Sequence, residues 1–299
     1  SVALKLITER EKEIELFNPE EYWTLASNFT NKDNKNIISK LSLFNGDKVE
    51  RFTFKNKISN MRKLLLILLT VFSFGVNAQY FSVTYINVSQ EDVAEVARLE
   101  TQYWSKVAKA NIDSGKQMGW GLFAKVGGAS DTWTHAFVNV YSSIDQMMDL
   151  SIWNPEELIG VSAEDISTAQ YYNASTTHHY KIQGQVPGSS GLAAVWNYGR
   201  PENLQGFVKD NVELWGPFFA KNDTGRTNWG IATKITGVNP TNATVMTWDG
   251  YSSVAEAVKV LAGEGNNSGP SGSKTGEYMP DGFLYRAVVQ QVMWIDANQ

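Results

Sequence analysis

The residues best suited to chemistry are a few histidines, acids, amides and tyrosines on two short predicted strands. The 299 residues include no cysteine, which removes thiol nucleophiles, cysteine zinc sites and iron–sulfur clusters at once. In the run from His135 to Tyr141, strand alternation puts His135, Phe137, Asn139 and Tyr141 on one face and Ala136, Val138 and Val140 on the other. The run from Val245 to Tyr251 repeats the pattern: Thr247, Asp249 and Tyr251 share a face opposite Met246 and Trp248. The plainly apolar sets are expected to lie under helices. The mixed set (His135, Phe137, Asn139, Tyr141, Thr247, Asp249 and Tyr251) is then expected to line an internal space. A few polar groups among aromatic rings suit a small, partly apolar ligand. His135, Asn139, Asp249 and the tyrosines are equally the groups an oxidative catalyst would use, or interior polar residues satisfied by their neighbours. His178 and His179 are candidate metal ligands, but adjacent strand residues face opposite ways and no second ligand sits at a metal spacing, so no metal site is expected. No Gly-x-Ser-x-Gly, Ser-His-Asp spacing or phosphate loop is present. Gly119-Trp120-Gly121 and Gly127-Gly128 flank a strand with no helix start behind them and read as turns. Trp104, Trp120, Trp196, Trp215, Trp229 and Trp248 read as core residues.

The elements that carry these residues occur twice. Trp104-SKVAKANIDSGKQMG-Trp120-GLFAKVGG is echoed by Trp215-GPFFAKNDTGRTN-Trp229-GIATKITG, and each continues into a strand ending Tyr-Ser-Ser, at Tyr141 and Tyr251. HHYKIQGQV around Tyr180 matches FLYRAVVQQV around Tyr285. A period of about 105–110 residues is too long for a solenoid unit and suits a duplicated small domain. Each half reads β-α-β-β-α-β. The first has strands at 80–87, 120–126, 134–141 and 177–186, a helix from Gln90 capped by Ser89, and a second capped by Ser142 or Ser143. The second half has strands at 192–198, 229–235, 243–251 and 283–294, a helix from Pro201 and another at 253–262. The Gly/Ser-rich stretch 263–276 reads as a flexible surface loop.

This βαββαβ pattern resembles the ferredoxin-like unit, and two of them in tandem resemble the dimeric α/β-barrel superfamily, which includes antibiotic-biosynthesis-monooxygenase-like, NIPSNAP-like and EthD-like proteins. The resemblance implies an α+β fold in which two ferredoxin-like repeats, 79–187 and 188–299, pack sheet to sheet as an intramolecular barrel. It implies a ligand-binding protein, with a cofactor-independent monooxygenase, a haem-dependent oxidative enzyme or a filled structural barrel as alternatives. The haem alternative would use His178 or His179; no cofactor is otherwise expected.

Ahead of the repeats, residues 61–78 read MRKLLLILLTVFSFGVNA: Arg62 and Lys63, an apolar run from Leu64 to Phe74, and Val76-Asn77-Ala78 before Gln79. That is the pattern of a secretory signal peptide, too short for a membrane span, and it predicts cleavage at Ala78/Gln79 with a secreted or periplasmic product. Such a peptide works at a free N-terminus, so residues 1–60 are expected to belong to another gene product. Within them SVALKLITEREKEIELFNPEEYWTL resembles a segment of bacterial type IA DNA topoisomerase I, over about the first 55 residues. The family's acidic metal-binding region, nucleophilic tyrosine and strand-binding arginine fall outside this segment, so no topoisomerase activity is expected. Residues 79–299 hold 14 basic against 22 acidic side chains. That balance argues against nucleic acid and anionic membrane surfaces as partners. No stable membrane anchor after cleavage is expected, and self-association stays open.

Overall fold

The computed structural model describes residues 79–127, 133–189, 191–238 and 241–297; the predicted fragment at 1–60 and leader at 61–78 lie outside the described residues. Runs rich in β-branched and aromatic residues form eight strands: β1 Tyr80–Val88, β2 Gly119–Lys125, β3 His135–Tyr141, β4 Tyr172–Val186, β5 Ala193–Gly199, β6 Arg226–Lys234, β7 Val245–Tyr251 and β8 Tyr285–Asp296. They close into a barrel in the order β1-β3-β2-β8-β5-β7-β6-β4, with antiparallel pairing throughout. The first four strands lie in the order β4-β1-β3-β2 and the last four in the order β8-β5-β7-β6, so the two halves repeat one arrangement. Seams β2–β8 and β4–β6 join them, and each seam has a register shift, at Leu122/Phe123 and at Ile182/Gly184. Such irregularities add the local twist that closing a sheet requires.

Helix α1 runs over 93–113 in three contiguous pieces: Val93–Leu99, a π-helical turn Glu100–Trp104, and Ser105–Asp113. Helix α4, in the second half, repeats this as Leu204–Asp210, a π turn Asn211–Trp215 and Gly216–Lys221. Both start later than predicted. Ser89 donates to the Asp92 carboxylate (2.6 Å) instead of capping, and α1 begins at Val93. Pro201 precedes α4, whose cap is Asn203, accepting from the Gly206 N–H at 2.9 Å. The serine caps after each Tyr-Ser-Ser hold: Ser143 accepts from Gln146 N–H at the start of α2 (Ile144–Met148), and Ser253 from Glu256 N–H at the start of α5 (Val254–Leu261). Short helices α3 (Pro155–Ile159) and α6 (Thr275–Tyr278) lie in the long connections before β4 and β8.

One cluster of buried side chains draws on every strand but β2. It includes Phe81, Val83, Tyr85, Ala136, Val138, Tyr180, Trp196, Tyr198, Ala232, Met246 and Val289, with Phe123 of β2 against it, and it is the barrel interior. Separate clusters join outer strand faces to helices, for example Ile112 with Trp120 and Leu122, and Phe207 with Trp229 and Ile231. The predicted alternation along β3 and β7 is correct and its predicted sense is inverted. Ala136, Val138, Val140, Met246 and Trp248 point inward, while Phe137, Tyr141, Val245 and Tyr251 pack among the helix-facing clusters. The physical reason is that the sheet–helix seam supplies hydrogen-bond partners for polar groups, whereas the barrel interior is walled by side chains of its own strands and favours apolar ones.

Candidate functional site

The barrel is open at one end and closed at the other. The open end gathers the starts of β1, β2, β5 and β6 and the ends of β3, β4, β7 and β8 around a cavity of about 450 Å³. Its floor and walls are buried or half-buried aromatic and aliphatic side chains, chiefly Phe81, Phe123, Trp196, Met246, Trp248 and Trp294. Its rim is polar: Gln79, Gln185, Asn228, Gln291 and Asp296. An eight-stranded barrel has room inside for side chains or for one small ligand, and here the inward residues leave the second option open.

Two glycines shape the walls. A Cβ added to Gly121 would sit 2.5 Å from the Trp294 ring, and one added to Gly230 would sit 2.0 Å from the Trp248 ring. Gly121 pairs across the strands with Trp294, and Gly230 with Trp248, so each indole lies against the bare backbone of its neighbour at the cavity wall. Gly119-Trp120-Gly121, predicted to be a turn, is the first part of β2. A turn reading failed because these glycines serve close side-chain approach instead of positive φ. Trp294 Nε1 donates to Asp296 Oδ2 at 3.0 Å, tying a wall ring to the rim carboxylate.

The closed end is a plug of rings. Tyr85 and Tyr198 share a buried hydroxyl–hydroxyl bond of 3.0 Å, and Trp133, His178 and Tyr198 pack edge-on around Tyr85. Tyr285 stacks on Tyr198, and Trp133 stacks on Trp196 of the cavity floor. Burial pushes Tyr85 and Tyr198 well above the usual phenol range, so both stay protonated. Burial, with Lys234 and His179 nearby, lowers His178 to about 4, leaving it neutral.

The seven predicted lining residues all sit on the opposite face from this cavity. His135 meets Thr134 (Nδ1 to Oγ1, 3.0 Å), and burial lowers its pKa. Asn139 accepts from Gln117 Nε2 at 3.0 Å; Phe137 packs against Ala108 and Val96 clusters of α1; Tyr141 packs on Met147 of α2. Thr247 and Asp249 both accept from Asn197 Nδ2, Asp249 also receives Arg226 Nε at 2.6 Å, and Tyr251 packs near Ala257 of α5. These residues are thus brought together in two helix-side networks, one per half, and not around a shared space. The signal for the real lining was present in the same strands: the wholly apolar alternates, together with a glycine opposite Trp248 and Trp294.

Haem does not fit the cavity. Among the described residues, no histidine, tyrosine, lysine or arginine lines it. The sulfur donors are the thioethers of Met118 and Met246, which hold haem iron alongside a histidine. His178 lies in the plug, and His179 bonds Thr236 Oγ1 at 2.7 Å. Among the described residues no cluster of three metal-ligating side chains occurs.

Comparison with known proteins gives two separate likenesses. The described fold is similar to a crystal structure provisionally described as a monooxygenase from Lactobacillus acidophilus NCFM, with TM-score 0.50 and 10% identity over 73% of this chain and 96% of that one. A second, provisionally described as a monooxygenase from Fusobacterium nucleatum, gives TM-score 0.48 and 12% identity over 74% and 95%. A chlorite dismutase variant from Candidatus Nitrospira defluvii gives 0.42 at 8% identity over 71% and 90%. At such identities the likeness is one of fold: α+β, with a closed antiparallel eight-stranded barrel. The N-terminal segment, in contrast, matches DNA topoisomerase 1 in sequence: 46% identity over 56 residues with the Rickettsia bellii protein and 49% over 57 with that of Treponema pallidum. The chain spans only 7% of the length of those relatives. No family profile matches the chain.

Proposed function

We propose that residues 79–299 form an exported binding protein for a small, largely apolar molecule held in the open end of the barrel, and that the barrel descends from two ferredoxin-like repeats. The carrying observation is the 450 Å³ cavity with its aromatic walls and amide-rich rim. Among the described residues, Asp296 at the rim is the one titratable side chain of the lining, which favours binding over proton-transfer chemistry. The repeated strand order and the paired π turns support the duplication.

The test is a titration with N-phenyl-1-naphthylamine, a neutral apolar fluorophore. The expected result is saturable, blue-shifted emission from the full chain. Ala194→Trp, which fills the cavity from its wall, should abolish it. Binding equal in this variant and the parent would sink the site, as would no binding in either.

A further inference from the structure

We infer that Gln79 is a self-modifying residue: once cleavage frees its α-amine, it closes to a pyroglutamyl lactam, and Gln185 assists by holding the carbonyl under attack. This rests on the export reading, which puts Gln79 first in the mature chain. A glutamine at a free N-terminus carries a nucleophile and an electrophile in one residue. The α-amine has an ordinary pKa of about 7.7–8.0, so an appreciable share is unprotonated near neutral pH. Its attack on the side-chain carbon Cδ closes a five-membered ring. Reaction within one residue avoids the entropy cost of bringing two molecules together, and effective molarities in well-oriented cases reach about 10⁵–10⁸ M. The step balances without a co-reactant. An Nα–Cδ bond forms, the Cδ–Nε2 bond breaks, and Nε2 leaves as ammonia with a proton from Nα.

The fold engages the atoms that this reaction keeps. Gln79 stands half-buried at the open end of the barrel, one residue before β1, and lines the cavity mouth. Its backbone oxygen accepts from Ile182 N–H of β4 at 2.9 Å, which fixes the residue against the neighbouring strand. Its side-chain Oε1 accepts from Gln185 Nε2, also of β4, at 3.2 Å. Negative charge develops on Oε1 as Nα adds to Cδ, and a hydrogen-bond donor already placed on that oxygen stabilises it. Both acceptors survive. The backbone carbonyl is untouched, and Oε1 becomes the lactam oxygen, still opposite Gln185. The product is a neutral ring in the cavity rim where a free terminus would place an ammonium group.

The test is the intact mass of protein recovered from the exterior or periplasm of cells expressing the full chain, at successive times after a pulse of labelled amino acids. The expected product begins at residue 79 and becomes lighter than its sequence by one ammonia. Gln79→Ala should keep its full sequence mass, which separates ring closure at 79 from loss of ammonia at an asparagine. Gln185→Leu, a change at an exposed rim position, should still close, but about threefold or more slowly. A product that starts at Gln79 and keeps its ammonia overturns the inference and leaves export standing. Equal loss of ammonia from Gln79→Ala overturns it as well, and an equal rate in Gln185→Leu overturns the assignment of Gln185. A chain retaining Ser1 sinks the export reading and this inference with it. Ligand binding stands apart from these outcomes, since the N-phenyl-1-naphthylamine titration reads it separately.

Discussion

Gly230 and Glu100 show how single side chains set the behaviour of this barrel. A methyl at position 230 would collide with the Trp248 ring, which lines the cavity, so that ring must shift. Gly230→Ala is expected to cost about 1–3 kcal/mol by overpacking and to shrink the cavity, read as a lower Tm and weaker N-phenyl-1-naphthylamine binding. Glu100 lies buried in the π turn of α1, with one hydrogen bond from Thr168 Oγ1 at 2.7 Å, and burial pushes its pKa up to about 7. The folded state therefore holds a proton that the unfolded chain, titrating near the ordinary carboxylate value, gives up earlier. The contribution is fully present below that ordinary value and is lost as pH rises through about 7. Glu100→Gln, which can still accept from Thr168, should raise stability by about 1–3 kcal/mol at pH 8 and change little at pH 4, measured by denaturation at both. Which residues alternate along β3 and β7 was legible in the sequence. Which face is inward was not, because polarity was taken to mark the cavity. Asn139 and Asp249 are polar because Gln117 and Arg226 sit beside them, a pairing no local pattern displays.

At the scale of elements, these two pairs occupy matching places. Gln117 stands three residues before Trp120 and Arg226 three before Trp229; Asn139 stands two before Tyr141 and Asp249 two before Tyr251. One half thus uses a neutral pair where the other uses an ion pair. The side chains of Arg226 and Asp249 are 10% and 12% exposed, so breaking that pair leaves a buried charge. Asp249→Asn alone is expected to cost about 3–5 kcal/mol. The double change Arg226→Gln with Asp249→Asn, which copies the first half, should recover most of it; a thermal or urea double-mutant cycle measures the difference. Strands and capping serines were legible, since alternation and the Tyr-Ser-Ser repeat are local signals. The π turns were not, although the matched Trp104 and Trp215 marked their ends. Trp215 packs with Phe207, Trp229 and Ile231 between α4 and the sheet. The indole N–H groups do more: Trp104 Nε1 donates to Ile166 O, and Trp215 Nε1 donates to Ser273 and Thr275 hydroxyls, so each π turn ties down the long connection of its half. Asp210 adds to this by accepting from Ser273, Lys274 N–H and Thr275, which anchors a glycine-rich stretch that composition alone marks as loose.

At the scale of the molecule, the closed α+β barrel was legible because a doubled pattern of strands and helices leaves few ways to bury two sheets. The composite character of the chain is a matter of segments. A topoisomerase-like stretch covers 19% of it, and the barrel begins only at Tyr80. The export reading predicts that the native protein begins at Gln79, and N-terminal sequencing of material from the source cell's exterior or periplasm checks it. A chain retaining Ser1 would sink both the cleavage and the separate origin of residues 1–60.

Under the proposed binding function, the ring plug formed by Tyr85, Trp133, His178, Tyr198 and Tyr285 has a kinetic consequence. A lumen stoppered at one end has a single door, so entry and departure use the same path. An arriving molecule cannot push an occupant out from behind. Exchange is then strictly sequential, and the dwell time of a bound molecule stays the same however concentrated its competitor becomes.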